Sequence, residues 1–448
     1  MRSLTLLTIF STWWPLAASW LFMSVEQPLV GALIARLDNP TVQLAALGGV
    51  VFPLALLIEA PIMMLLAAST ALSKTRGSYR FIFRFMMLVG FSLTVLHALL
   101  AFTPLYNLVV VGFLKPPLEV VQPARWGLMI MLPFTWSIAY RRFHQGVLIR
   151  NGRSLSVSVG TVIRLCALLL GCTAGFVLGL PGIVAGTMGI STGVLAEAIF
   201  IGVRVRPIVR HGLPDTAENE PEPLTWPVFR RFYAPLALTS LLLLLVQPLG
   251  SAALSRMPLA LESLAAWPVL ASFIFLFRGM GMAYNEVMVA TLETPGAWRK
   301  LRRFALLISA LMSALLLFVA FTPLARGYFG TVLGLKPELV ALASSGLLLA
   351  CAWPALTVYQ SYYQGILVHS GETGRVTQSV IVSLLASVLL LGGGALLGTL
   401  PGLYVVTLAF VVGSAVQVFW LAHSSQAVLK RLQTLELPAG VRPAGATD

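Results

Sequence analysis

A few ionisable residues in this sequence stand inside long apolar runs, where a charge is expensive and its presence marks a functional candidate. Arg164 lies 17 residues before Pro181 and Glu197 lies 16 residues after it. If Pro181 turns an antiparallel helical hairpin, the two side chains reach one depth, and an intramembrane Arg164–Glu197 ion pair is expected. Two readings of it stay open, a staple inside one bundle or a part of a solute path. Glu26, Glu59 and Arg278 stand near the middle of three other runs. With Gln27 and Gln247 they are expected to line a central cleft and to bind substrate or a coupling ion. Glu59 and Arg278 are candidates to pair across that cleft and separate when substrate enters, and a buried carboxylate offers a route for proton coupling. A static internal pair is the other reading.

Arg141, Arg142, His144 and Gln145 follow an apolar run, as do Tyr359 and Gln364 further on. These six are expected at a cytoplasmic vestibule, its bases concentrating anions and its polar groups hydrogen-bonding a solute or packing the lobes. The same bases also satisfy the ordinary rule that cytoplasmic loops are positive. His97 reads as a satisfied structural group and Glu286 as a residue meeting water. The sequence shows no nucleophile–base constellation, phosphate loop or metal motif, so no enzyme, cofactor or metal is expected. Cys166, Cys172 and Cys351 lie in apolar runs without ligand spacing and read as small core residues.

The elements that carry these residues follow from composition. Of 448 residues, 58% are hydrophobic and 10% charged, with a mean hydropathy of +0.89. So few charges cannot cover a water-facing surface. Lipid must be the solvent, and the runs lack the period-two alternation of a barrel, so they are helices. Twelve spans are expected, near 8–35, 43–71, 82–104, 122–140, 155–179, 183–203, 232–255, 263–290, 303–325, 340–366, 376–399 and 402–424. The formal net charge of +14 falls mainly in alternate loops, as with Arg76 and Arg80, Arg150 and Arg153, or Arg299 and Lys300. That asymmetry places both termini in the cytoplasm and argues against nucleic acid as a partner.

The chain repeats itself. Pro15-Leu16-Ala17 recurs as Pro235-Leu236-Ala237, Gln27-Pro28-Leu29 as Gln247-Pro248-Leu249, and Arg36 as Arg256, each displaced by 220. Ala101–Leu105 recurs as Ala320–Leu324, and Tyr140…Gln145-Gly146…Gly152 as Tyr359…Gln364-Gly365…Gly371, displaced by 219. Each half enters from the same side with six spans, so the repeats are parallel and related by an axis along the membrane normal. The expected organisation is an N-terminal six-helix lobe (1–206), a cytoplasmic linker (207–227) with Glu218, Glu220 and Glu222, a C-terminal six-helix lobe (228–432) and a cytoplasmic tail (433–448).

Those features resemble a known family. Trp13-Trp14-Pro15-Leu16-Ala17, Glu26-Gln27, His97–Ala101, Pro133-Phe134 with Gly146-Val147-Leu148, Pro235–Leu238 and Ser255-Arg256 are similar in order and spacing to the MATE and MOP flippase superfamily. Within it the chain resembles the progressive ankylosis protein branch. The resemblance implies an all-α MATE-like fold and secondary active export of small solutes by alternating access. The ankylosis branch implies organic or phosphorylated anions such as citrate, ATP or pyrophosphate. Multidrug cation antiport and lipid-linked substrate flipping are the alternatives the superfamily carries. It also implies a coupling H⁺ or Na⁺, with Glu26 at the place where other members hold an acidic residue, usually Asp. A monomer in a bacterial-type inner membrane is expected, with a small-molecule substrate and lipids as its partners.

Overall fold

The computed structural model describes residues 5–215, 224–292 and 296–435. The acidic middle of the expected linker, with Glu218, Glu220 and Glu222, and the tail beyond 435 lie outside these residues. All the regular structure described is helical. Ten of the described helices are long and apolar enough to cross a membrane, and the bent pair Pro337–Leu349 and Trp353–His369 makes an eleventh. The chain is a multi-pass membrane protein. The remaining expected span, the fourth, is helical too, as Leu118–Ile130 and Leu132–Arg150. It is more polar than the rest because it carries Arg125, Arg141, Arg142 and His144.

The described chain gathers into two units. One comprises Met1–Pro28, Val269–Val332 and Lys336–Asp448; the other comprises Leu29–Pro268 and Leu333–Leu335. These are not the lobes 1–206 and 228–432 expected from the repeat, because each half lends its opening helix to the other half's unit. In the first unit, Trp13 on the helix Leu6–Ser24 donates its indole N–H to the Met280 carbonyl at 3.0 Å. Its ring meets Phe304 edge-on at 5.8 Å. In the second unit, Tyr233 on the helix Trp226–Leu254 donates its hydroxyl to the Pro61 carbonyl. Its ring meets Phe85 edge-on at 5.2 Å. Trp13 and Tyr233 are 220 apart, Pro61 and Met280 219, and Phe85 and Phe304 219. The exchange is therefore the same construction made twice. An aromatic with one polar atom serves it well, since the ring is buried while the N–H or O–H finds a carbonyl.

The repeat is also written into the backbone. Outside Gly296, every described residue with positive φ has a partner in the other half. Asn39 (φ 52°) matches Leu259 (54°), Lys115 (54°) matches Gly334 (76°), Gly152 (71°) matches Gly371 (78°), and Gly179 (65°) matches Gly398 (57°). Leu259 is a costly occupant of that region, which its position ahead of the helix Ala260–Thr291 imposes. Two repeated arginines hold the turns built on the second of these pairs. Arg36 donates to the Leu333 carbonyl at 3.3 Å, which ties Leu333–Leu335 into its unit. Arg256 donates to the Phe113 carbonyl at 2.6 Å and to that of Leu114 at 3.4 Å.

The halves differ in their second span. In the first half it is broken into Pro40–Ala46, a π turn Leu47–Val51, Phe52–Glu59, a 3₁₀ turn Ala60–Ile62, and Leu65–Leu72. Pro61 supplies no N–H to the ladder, so the helix cannot run through it unchanged. Its counterpart in the second half, Ala260–Thr291, is continuous. Glu59 is the last residue before the Pro61 break. The linker leaves the helix Gly182–Pro207 through Ile208–Gly212. It is held where Arg76 donates its backbone N–H to the Pro214 carbonyl at 2.9 Å and approaches Asp215 at 3.5 Å.

Candidate functional site

In the unit containing Leu29–Pro268, four helices bring a charged cluster together. Glu197 on Gly182–Pro207 is fully buried and central to it. Arg141 on Leu132–Arg150 donates to Glu197 Oε2 at 2.6 Å. Arg164 on Ser154–Val177 lies with its Nε 3.6 Å from the same oxygen. Gln145, one turn beyond Arg141, donates to Glu197 Oε1 at 2.9 Å. Both carboxylate oxygens are thus occupied by charged or amide donors, the condition under which a buried ion can persist. The expected Arg164–Glu197 pair is brought together, but Arg141 makes the shorter contact.

Glu59 enters the cluster from the broken span. It is fully buried, and neither of its oxygens has a hydrogen-bond partner. The charges that act on it are those of Arg141 and Arg142. The Nε groups of both arginines are likewise buried without a partner, and Arg142 Nη2 reaches Met63 Sδ at 3.8 Å. Across Glu59, Glu197, Arg141, Arg142 and Arg164 the formal charge is two negative against three positive. A buried carboxylate without a partner is the least compensated group in this set.

Three of the residues expected at a basic vestibule lie in the interior of this unit. Arg141, His144 and Gln145 are buried, at 6%, 1% and 4% exposure. His144 donates from Nδ1 to the Tyr140 carbonyl at 2.9 Å, which leaves Nε2 to accept from the Tyr79 hydroxyl at 3.2 Å. Its ring lies among Tyr79, Phe83, Tyr140 and Phe143. The reason is geometric: Leu132–Arg150 is one continuous helix, Arg141, His144 and Gln145 sit in its buried middle, and its exposed residues are Pro133 near the start and Arg150 at the end. His97 is the satisfied structural group expected. It donates from Nε2 to the Leu128 carbonyl at 3.0 Å and accepts at Nδ1 from Thr135 at 2.8 Å.

In the other unit, Arg278 on Ala260–Thr291 is partly buried and held in two ways. Its guanidinium lies over the Trp353 ring at 4.2 Å. Its Nε donates to Thr357 Oγ1 at 3.1 Å, and that hydroxyl in turn donates to the Trp353 carbonyl. Among the described residues neither Nη group has a hydrogen-bond partner. Gly279, the next residue, lets Trp20 and Ser24 approach, which sets the region of Glu26 and Gln27 beside this helix. Both of those are partly buried. Glu286, further along Ala260–Thr291, is exposed, in keeping with a residue that meets water. Tyr359 and Gln364 are partly buried on Trp353–His369, Tyr359 stacked on Tyr363 at 6.5 Å. Gln247, in the unit containing Leu29–Pro268, is partly buried and its carbonyl accepts from Ser251. The structure thus places Glu59 beside Arg141 and Arg142, and Arg278 on Trp353, each within its own unit.

Sequence reasoning missed Arg141 and Gln145 as partners of Glu197, since they sit 56 and 52 residues away on another helix. One signal was available. At the positions of Arg141, Arg142, Arg164 and Glu197 the second half has Gln360, Ser361, Leu384 and Gln417. Four charges vanish together, as members of one cluster would. In the second half Gln417 donates to Ser379 Oγ at 3.3 Å, a neutral bond where the first half has ions.

No protein-family model and no curated protein sequence matches the chain. Solved structures do. A multidrug resistance MATE family transporter of the MOP superfamily, in its inward-facing conformation, aligns with a TM-score of 0.70 at 16% identity, over 92% of this chain and 96% of its own. A MOP superfamily transporter from Pyrococcus furiosus, distinguished by the reversed polarity of its binding pocket, aligns at 0.67 and 16% identity over 96% and 97%. The lipid II flippase MurJ, in an inward closed conformation, aligns at 0.67 and 13% identity over 93% and 89%. Likenesses at this level of identity and near-complete coverage establish the architecture: the chain has the fold of the MATE and MOP superfamily transporters.

Proposed function

We propose that this chain is a secondary active transporter that exports small organic or phosphorylated anions by alternating access, as in the progressive ankylosis branch that its motifs resemble. The observation that carries the reading is the presentation of Arg278. Trp353 holds the face of the guanidinium and Thr357 its Nε, so the planar fork is oriented before any solute arrives. Two N–H donors side by side match a carboxylate or phosphate, and a pre-oriented arginine loses little freedom on binding one. We assign the coupling proton to Glu59, the buried carboxylate without a hydrogen-bond partner, with Na⁺ as the other candidate ion. Both termini are assigned to the cytoplasmic side of an inner membrane, as the charge asymmetry of the loops favours.

A multidrug cation antiporter is the second reading, favoured by Glu26 on the first span. Inside-out vesicles decide between them. Citrate and nucleotide uptake driven by an imposed pH or Na⁺ gradient supports the anion reading. Uptake of ethidium with no uptake of either anion overturns it.

A further inference from the structure

The two exchanged opening helices are built alike but finished differently. Where Tyr233 docks beside Pro61, an open groove of about 410 Å³ remains, lined by Pro61, Phe85, Trp226, Phe229, Tyr233 and the exposed Arg230. Its wall is aromatic: Phe85 meets Phe229 edge-on at 4.8 Å, and Phe229 stacks on Tyr233 at 5.2 Å. At the equivalent place in the other unit, 220 residues earlier, Arg230 is replaced by Phe10 and Ala234 by Trp14. Those two rings stack on each other at 6.3 Å. One copy thus sets two aromatic side chains of its own at the place, beside Trp13. The other puts alanine where the indole would be and a cation where the phenyl would be.

We infer that this groove is a binding site for an anionic phospholipid, with an acyl chain along the aromatic wall and the headgroup phosphate on Arg230. The position suits both parts. The groove lies on the first turns of a membrane-spanning helix that begins at Trp226, a residue type concentrated at the membrane–water boundary. From Trp226 to Leu241 the lining covers about 22 Å of helix, enough to reach well into the hydrocarbon. Arg230 is exposed at the end of the groove nearest the helix start, where a basic residue attracts anionic lipid. An apolar trough with one cation at its headgroup end complements an anionic lipid better than a neutral one. The occupant would rest against Pro61, two residues from Glu59, within reach of the break in that span.

The test is competition between two lipids of equal chain length. The purified full-length chain in detergent, given equimolar dioleoyl phosphatidylglycerol and dioleoyl phosphatidylcholine, is examined by native mass spectrometry. The wild type retains phosphatidylglycerol in preference to phosphatidylcholine. Arg230→Gln lowers that preference about fivefold, the effect of one basic residue at an anionic surface. Ala234→Trp, which copies the residue at the equivalent position of the other unit, displaces both lipids. Should Ala234→Trp fail to fold, the exposed Arg230→Gln still carries the test. Equal retention of the two lipids by the wild type, or retention unchanged in both variants, overturns the inference. So does displacement by Ala234→Trp with no effect of Arg230→Gln, which would mark a neutral apolar occupant. The readout is lipid binding and stands apart from any transport assay.

Discussion

Arg141 and Glu197, 56 residues apart in sequence, meet at 2.6 Å inside the first half of the chain, and Arg164 stands 3.6 Å from the same carboxylate oxygen. Removing the acid strands two arginines and an amide, whereas removing either base leaves the acid one cationic neighbour. Glu197→Ala is therefore expected to cost about 3–5 kcal/mol, the range for breaking a buried ion pair from one side. Arg141→Ala should cost more than Arg164→Ala, because its contact is shorter and its side chain better buried (7% against 12% exposed). Thermal unfolding in detergent gives the order directly. An Arg164→Ala variant less stable than Arg141→Ala would contradict this ranking.

Glu59 separates folding from coupling. Neither carboxylate oxygen accepts a hydrogen bond, so Glu59→Gln removes a charge without removing a bond. The variant is expected to fold with its unfolding temperature unchanged or raised, and to lose the pH dependence of solute uptake. Full activity with the wild-type pH profile would remove Glu59 from the mechanism.

Arg278 and Trp353 make a separable pair. Arg278→Lys keeps the charge but cannot reproduce the planar fork over the ring. Anion uptake by this variant is expected to show a raised KM. Trp353→Leu should weaken apparent solute affinity about fivefold, the effect of losing a cation–π contact of about 1 kcal/mol. Concentration dependence of citrate uptake in vesicles measures both, and an unchanged KM in both variants would count against Arg278 as the anion-binding group.

The repeated Gln-Gly motif predicts two packing defects. A Cβ on Gly146 would lie 1.8 Å from Ser69 Oγ and 2.5 Å from the Leu66 carbonyl oxygen; one on Gly365 would lie 2.4 Å from Met288 Cβ. Gly146→Ala and Gly365→Ala should each destabilise by about 1–3 kcal/mol through overpacking. Gly146→Ala should be the worse, since backbone as well as side chain obstructs it. Gly392→Ala, with nothing near its Cβ, serves as the neutral control in the same unfolding measurement.

Much of this protein was legible in its sequence because lipid imposes so few solutions. Apolar runs of span length had to be helices, and the displacement of 219 to 220 announced two parallel halves. Proline and glycine landmarks, such as Gly152 and Gly371, reappear as left-handed positions. The Arg164–Glu197 contact followed from depth alone, since a hairpin sets which residues share a level.

Partner choice around a helix axis was not legible, because depth leaves rotation undetermined. Arg141 and Gln145 reach Glu197 only because Leu132–Arg150 turns their face inward, and the same rotation buries the bases expected at an open mouth. The exchange of opening helices was equally invisible, since a repeat records that two halves are alike and not which half a helix packs against. The tertiary structure decided that point, through an indole on the Met280 carbonyl and a phenol on that of Pro61. Hydropathy is a property of segments, whereas neighbours are chosen by the direction in which individual side chains point.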